Sequence, residues 1–162
     1  QSGRIAEGFF RRNPELGTDF RKNVLILNKT PIHTAKTVQL KYILKNGSKE
    51  IVDLVNESQK KMAQLAFELH NGLFYNAEDG FPELWLVGYS ELKKNGVFNG
   101  YRDELKKQYE GYSSWNKVLV YQHFSMNRFI IDLNEFRKNS NLPLKNCLEE
   151  IGKIHKNEIF GS

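Results

Sequence analysis

The sequence predicts an α+β fold, a single domain in which helices flank a mixed or antiparallel sheet. Apolar residues recur with helical spacing in some segments and alternate with polar residues in others, as they do in strands. Both kinds of segment are interleaved along the chain, which favours a mixed architecture. The chain has 162 residues and no long linker, so one domain over residues 1–162 is expected.

The N-terminal third is predicted to contain a helix, a short strand and a hairpin. Pro14 and Gly17 end the first helix, and the compact apolar run 23–28 is typical of a buried strand. Two alternating, β-rich runs then flank an Asn-Gly dipeptide at 46–47, which favours a tight turn. A β-hairpin is therefore predicted over about 37–55.

The middle of the chain is predicted to form a helix followed by two short strands. Apolar residues at helical spacing from Met62 onward predict a helix over 57–71, which an Asn-Gly dipeptide ends. Two short apolar runs follow, and they predict strands over about 73–77 and 83–90.

The last third is predicted to form a helix, a second hairpin and a closing helix. The helix covers 101–112, the hairpin 116–136 and the closing helix about 142–160. The single cysteine, Cys147, falls among the apolar residues of the closing helix and is interpreted as a small buried residue.

Composition limits the classes of function and the compartment. The formal charge is +5 and the pI about 9.2, a balance that permits phosphate binding without requiring it. One cysteine cannot form an internal disulfide, which favours a reducing, cytoplasmic location. No apolar run approaches about 20 residues, so no membrane span is predicted. The chain begins at Gln1 without a methionine, and a fragment of a longer protein is expected.

Several catalytic and metal-binding motifs are missing from the sequence. The four histidines lie far apart, with no cysteine partner and no i, i+4 pair, so the sequence does not predict a zinc site. His123, in a predicted strand, is interpreted as a structural residue. The chain has no Gly-x-Ser-x-Gly sequence and no glycine-rich phosphate loop.

Two carboxylates and a lysine form the remaining catalytic candidate. Asp79 precedes Glu91 by twelve positions, and Lys93 follows in the stretch "YSELKK". If 85–93 is a strand, Glu91 and Lys93 share one face, and Asp79 at the end of a neighbouring strand meets them. Two such carboxylates hold Mg²⁺, which activates a water, while the lysine offsets charge on a phosphate.

The pattern "D…ELK" resembles the signature of the PD-(D/E)xK nucleases, the restriction-endonuclease-like superfamily. The resemblance covers about residues 57–124 and implies a nuclease-like core of helix, three strands, helix and strand. It implies that Asp79 and Glu91 bind the metal and that Lys93 is the catalytic lysine. Glu68 and Gln108 match positions where members of this superfamily carry accessory polar residues. The implied function is a metal-dependent nucleic-acid phosphodiesterase.

A second resemblance points to a different class of protein. The stretch "FELHNGLFYNAEDGFPELWLVGYSELKKNG" is similar to the central part of SMI1/KNR4-like (SUKH) domains. These domains are α+β and non-enzymatic, and many of them neutralise toxins as immunity proteins. This resemblance implies a protein partner, a structural helix stop at 71–72 and a solvated or capping Glu91.

A third interpretation is a non-catalytic nucleic-acid-binding domain. In the predicted helix 101–112, basic residues flank one tyrosine-bearing side. The basic residues are Arg102, Lys106 and Lys107, and the tyrosines are Tyr101, Tyr109 and Tyr112. Lysine and arginine bind phosphates, and an exposed tyrosine stacks on a base. Tyrosines at this spacing also suit a core face beside solvated charges, so the sequence leaves both interpretations open. It also leaves DNA and RNA undistinguished.

Overall fold

The computed structural model describes residues 2–30 and 37–161. The helices in chain order are Ser2–Arg12 (α1), Phe20–Asn23 (α2), Thr37–Asn46 (α3), Lys49–Tyr75 (α4), Tyr89–Leu92 (α5), Asn99–Gln108 (α6), Arg128–Arg137 (α7) and Leu144–Phe160 (α8). The strands are Leu84–Val87 (β1) and Val118–Tyr121 (β2), and short 3₁₀ turns cover Pro14–Leu16, Ser113–Lys117 and Ser125–Asn127. Over the described ranges, none of these helices combines the length and apolar composition needed to cross a bilayer.

The chain divides into two compact units. The terminal unit comprises Gln1–Ile26, Trp85–Tyr89 and Val118–Ser162, and the central unit comprises Leu27–Leu84 and Ser90–Lys117. The predicted α+β class is confirmed in a helix-rich form. Its sheet, among the described residues, consists of β1 and β2 alone.

The predicted mixed or antiparallel sheet is wrong, because β1 and β2 run parallel. The segment between them contains α5 and α6, and a crossover of this kind returns the chain in the same direction. A hairpin turn would have reversed it. The strand predicted over 83–90 is present as the shorter β1, which ends at Val87. The first strand of the hairpin predicted over 116–136 is present as β2.

The terminal unit is built around the contact between α8 and β2. Gly152 lets the helix approach so closely that an added Cβ would lie 2.8 Å from the Tyr121 hydroxyl oxygen. That hydroxyl donates a hydrogen bond to the Leu148 carbonyl at 2.8 Å, one turn earlier on α8. Aromatic rings from α1, β1 and α7 pack on the same core, with Phe9 and Phe129 5.0 Å apart between centroids.

The central unit is dominated by α4 and α6, which pack against each other along most of α6. Val55, Ala63 and Ala66 form the buried face of α4, and α3 packs on the same helix through Leu40. Ser48 caps the start of α4 by accepting a hydrogen bond from the Ile51 amide at 3.3 Å.

The hairpin predicted over 37–55 is wrong, since this segment forms α3 and the start of α4. Gly47 ends α3, with its amide donating to the Ile43 carbonyl at 2.8 Å, and Ser48 begins the next helix. The dipeptide that favours a hairpin turn also suits a helix stop followed by a helix cap. The alternation of apolar and polar residues on either side of this dipeptide did not distinguish a hairpin from two successive helices.

Three further strand predictions are wrong. Residues 23–28 form no strand, and Leu25 and Ile26 are exposed. Residues 73–77 belong mostly to α4, which continues through Gly72 to Tyr75. The second half of the hairpin 116–136 is α7, because Met126 and Asn127 adopt left-handed conformations and redirect the chain into a helix. The helix predicted at 57–71 is confirmed as part of α4. Those predicted at 101–112 and 142–160 are confirmed as α6 and α8, which end at Gln108 and begin at Leu144 respectively.

Candidate functional site

The proposed catalytic trio does not have the strand geometry from which it was predicted. β1 ends at Val87, so Glu91 lies in the one-turn helix α5 and Lys93 in the loop after it. The strand expected to carry Asp79 is the end of α4, and Asp79 lies in an exposed turn beyond it. The premise that Glu91 and Lys93 share a strand face is therefore wrong. Their assignment as catalytic residues stays a prediction that needs another geometry.

Glu91 instead organises the loop that leads into α6. Its carboxylate accepts a hydrogen bond from the Val97 amide at 3.4 Å, and its carbonyl accepts one from the Phe98 amide at 3.1 Å. Lys29 lies nearby, with its ammonium 5.3 Å from the centroid of the Phe98 ring. Burial lowers the pKa of Lys29 to about 8, and the negative charge of Glu91 partly opposes that shift. Glu91 thus holds the loop that leads into α6.

The carboxylate predicted to bind magnesium already has polar neighbours, and the magnesium site stays a prediction. The Glu91 carboxylate is engaged with a backbone amide and lies close to Lys29. Within residues 2–30 and 37–161, no group of three or more His, Cys, Asp or Glu side chains is placed to hold a metal ion. Between α4 and α6 there is one strand, β1, where the nuclease resemblance implies three.

The basic residues predicted on helix α6 differ in their surroundings. The Arg102 guanidinium donates to the Leu92 carbonyl at 2.9 Å and to the Asp103 carboxylate at 2.8 Å. Arg102 therefore fastens α6 to the end of α5. Lys106 and Lys107, in contrast, are exposed in the last turn of α6.

The three tyrosines also separate into two roles. Tyr101 and Tyr109 are buried in the core of the central unit, as the core interpretation expected. Tyr112 lies beyond the end of α6, where 45 % of it is exposed. Gly111, with a φ of 82°, turns the chain at this point, and the Tyr112 amide donates to the Tyr109 carbonyl at 2.9 Å.

An open recess brings these exposed residues together. It has a volume of about 370 Å³ and is lined by Lys106, Lys107, Tyr109, Glu110, Gly111, Tyr112 and Trp115. We call it the Tyr112 recess. Two lysines and three aromatic rings line it together with one carboxylate, that of Glu110. This combination offers cationic groups for an anion beside flat apolar surfaces.

The floor of the Tyr112 recess is fixed by buried polar contacts to α4. The His70 Nδ1 lies 2.7 Å from the Tyr109 hydroxyl, and its Nε2 lies 2.8 Å from the Pro82 carbonyl oxygen. A carbonyl only accepts, so Nε2 carries the hydrogen and Nδ1 accepts from Tyr109. Burial raises the pKa of the Tyr109 phenol, which keeps that donor protonated. A second hydrogen bond to α4 runs from the Ser114 hydroxyl to the Asn71 side-chain oxygen at 2.7 Å.

Acidification is expected to destabilise the central unit through His70. Burial lowers the pKa of His70 below its usual 6.5, although the Pro82 hydrogen bond and the Glu83 charge oppose the shift. Since the unfolded chain then binds a proton more readily than the folded one, the unfolding free energy falls as the pH drops below about 6.5. The slope is at most about 1.4 kcal/mol per pH unit, the limit for one proton. Urea unfolding at pH 7.5, 6.5 and 5.5 measures it.

The control for this prediction is His70→Gln, which removes the titrating group. The variant is expected to be less stable at pH 7.5 but to lose less further stability on acidification than the wild type. Equal pH slopes in the two proteins would contradict the assignment to His70.

Sequence reasoning missed two of the aromatic residues near the recess. Trp115 lies 5.4 Å from Tyr109 between ring centroids, and the Tyr75 hydroxyl lies 3.2 Å from the Ser113 hydroxyl oxygen. The stretch "EGYSSW" carries the available signal, because aromatic residues follow a glycine turn directly after two lysines. Tyr75 had no such signal, since its segment was predicted to be a strand.

Two histidines lie outside this region, in the terminal unit. His123 follows β2, and its Nδ1 accepts a hydrogen bond from the Ser125 amide at 3.0 Å, as a structural residue would. His155 on α8 pairs through Nε2 with the Asp132 carboxylate at 2.8 Å, a contact the sequence did not predict. The ring of Tyr89 packs on His155 at 4.3 Å between centroids.

Comparisons with protein-family models, curated proteins and solved structures found no match to this chain. The resemblances to PD-(D/E)xK nucleases and to SUKH domains therefore stay predictions.

Proposed function

We propose that this chain is a non-catalytic nucleic-acid-binding protein and that the Tyr112 recess is its contact surface. The observation that carries the proposal is the meeting of Lys106 and Lys107 with Tyr112 and Trp115 around one open recess. Lysines neutralise backbone phosphates, and aromatic rings supply the apolar contact for bases. The formal charge of +5 favours approach of a polyanion to the whole chain.

The position of the lysines supports this role. Both lie in the last turn of α6, and both line the recess together with the rings. A phosphate bound by either ammonium would leave its attached nucleoside within reach of Tyr112 or Trp115. The carboxylate of Glu110, in the same lining, repels a phosphate. Neutralising it should therefore strengthen binding, whereas neutralising a lysine should weaken it.

Binding of labelled oligonucleotides tests the proposal. Fluorescence anisotropy of fluorescein-labelled DNA and RNA, measured between 50 and 300 mM KCl, is expected to show affinity that falls steeply with salt. The double variant Lys106→Gln, Lys107→Gln is expected to lose about tenfold in affinity at low salt and to reduce the salt slope by roughly two phosphate contacts. Glu110→Gln is expected to bind a few times more tightly.

The matched control is Lys41→Gln, Lys45→Gln, which removes the same charge from exposed positions on α3. Its affinity is expected to stay within about twofold of the wild type. An equal loss in both double variants would mean that net charge alone drives binding, and no binding at all would refute the proposal. Cleavage of the oligonucleotide that requires Mg²⁺ and disappears in Glu91→Gln would instead support the nuclease prediction.

A further inference from the structure

We infer that the ligand of the Tyr112 recess is single-stranded nucleic acid, whose unpaired bases stack on Tyr75 and Tyr112. This inference rests on the proposed function and names the form of nucleic acid that the site selects. It follows from how the two tyrosines are held and how much of each is exposed.

Tyr75 and Tyr112 come from different elements, and the Tyr75 hydroxyl contacts the residue that follows Tyr112. Tyr75 is the last residue of α4, and its hydroxyl accepts a hydrogen bond from the Ser113 amide at 3.3 Å. The same hydroxyl lies 3.2 Å from the Ser113 hydroxyl oxygen. Ser113 directly follows Tyr112, so the outer end of the Tyr75 side chain reaches the backbone that carries the Tyr112 ring.

Both rings are exposed although they are packed from within the central unit. Tyr75 is 55 % exposed and Tyr112 is 45 % exposed. Phe74 packs edge-on against Tyr75 at 5.1 Å between centroids, and Phe67 packs against Tyr112 at 5.2 Å. Rings supported in this way lose little conformational freedom when a base stacks on them.

Two exposed tyrosine rings in a region that also carries lysines suit unpaired bases better than a duplex. In a duplex the base faces are already stacked on each other, and exposing one costs a few kcal/mol. A single strand presents its base faces freely, and each base stacked on an aromatic side chain contributes about 1–3 kcal/mol. Lys106 and Lys107, which share the recess with Tyr112, are placed to take the phosphates of the same strand.

The experiment compares 12-nucleotide oligothymidylate and oligouridylate with a 12-base-pair duplex, by anisotropy, in four variants. Tyr75→Leu and Tyr112→Leu are each expected to weaken single-strand binding by about 5- to 100-fold, while Tyr112→Phe stays near wild type. Tyr75→Phe keeps the ring but loses the tie to Ser113, so an intermediate loss is expected. The duplex is expected to bind more weakly than either single strand and to be unaffected by all four substitutions.

Urea unfolding of each variant shows whether the fold is retained, and the intermediate loss expected for Tyr75→Phe keeps the inference testable if a Leu variant does not fold. Equal binding of duplex and single strand, unchanged in the tyrosine variants but weakened in Lys106→Gln, Lys107→Gln, would refute this inference and leave the proposed function standing. No binding to any oligonucleotide would refute both, and the two exposed tyrosines would then suit a protein partner.

Discussion

Replacing Gly152 by alanine is expected to destabilise the protein by about 2 kcal/mol, although alanine is the better helix former. The new Cβ would lie 2.8 Å from the Leu119 Cβ and 2.8 Å from the Tyr121 hydroxyl oxygen. Both atoms belong to β2, so α8 and the strand would have to separate. That shift would also strain the hydrogen bond from Tyr121 to the Leu148 carbonyl.

Urea unfolding followed by tryptophan fluorescence measures this effect. Trp85 reports on the terminal unit because its ring lies 4.4 Å from Tyr121 between centroids, and a Trp115→Phe background makes it the only tryptophan. The midpoint is expected to fall with little change in m-value. The control is Gly72→Ala on α4 of the central unit, where the added Cβ meets nothing within 4 Å. Followed through Trp115 in a Trp85→Phe background, this variant is expected to gain up to about 1 kcal/mol. A gain in both variants would contradict the close contact at Gly152.

Replacing Gln59 by leucine is expected to cost about 3 kcal/mol, because two buried backbone groups would lose their partners. The Gln59 side chain is fully buried on α4, and its amide donates to the Val97 carbonyl at 2.8 Å. Its oxygen accepts from the Tyr101 amide at 3.3 Å. The residue at the start of α6, Phe98, provides no side-chain cap, so Gln59 caps that helix from a neighbouring one.

The matched control is Gln64→Leu, which removes a glutamine of the same helix that also bonds to α6. Gln64 donates to the Glu104 carboxylate at 2.9 Å, but the pair is only partly buried. Glu104 keeps the hydrogen bond from Gln108, and water reaches the vacated position. The expected loss is below about 1 kcal/mol. Unfolding of both variants is monitored by Trp115 fluorescence in a Trp85→Phe background. Similar losses of stability in the two variants would contradict the role given to Gln59.

The sequence predicted the long helices well, because their apolar spacing extends over several turns. It failed where a short signal has two physical meanings. The Asn-Gly dipeptide at 46–47 suits a hairpin turn and also a helix end, and only the packing of Leu40 against α4 decides between them. The same holds for Gly72, which was expected to stop a helix and lies within one.

The recess was only partly predictable for a related reason. Lys106, Lys107 and Tyr112 were visible as a basic and aromatic cluster in the sequence. That Tyr101 and Tyr109 are buried while Tyr112 is exposed depends on where α6 ends and on the turn at Gly111. The contact of Tyr75 with Ser113 joins residues 38 positions apart, so no local sequence pattern predicts it. The environment of Glu91 was missed in the same way, since Lys29 is distant in sequence.

The division of the chain into three segments for one unit and two for the other has a consequence for synthesis on the ribosome. The central unit is finished once Lys117 has emerged, whereas the terminal unit needs the last segment, Val118–Ser162. Phe9 on α1 packs against Phe124 and Phe129, which are made more than a hundred residues later. The phenylalanines of α1 therefore leave the ribosome well before the residues that cover them, and a chaperone would meet them exposed on the nascent chain.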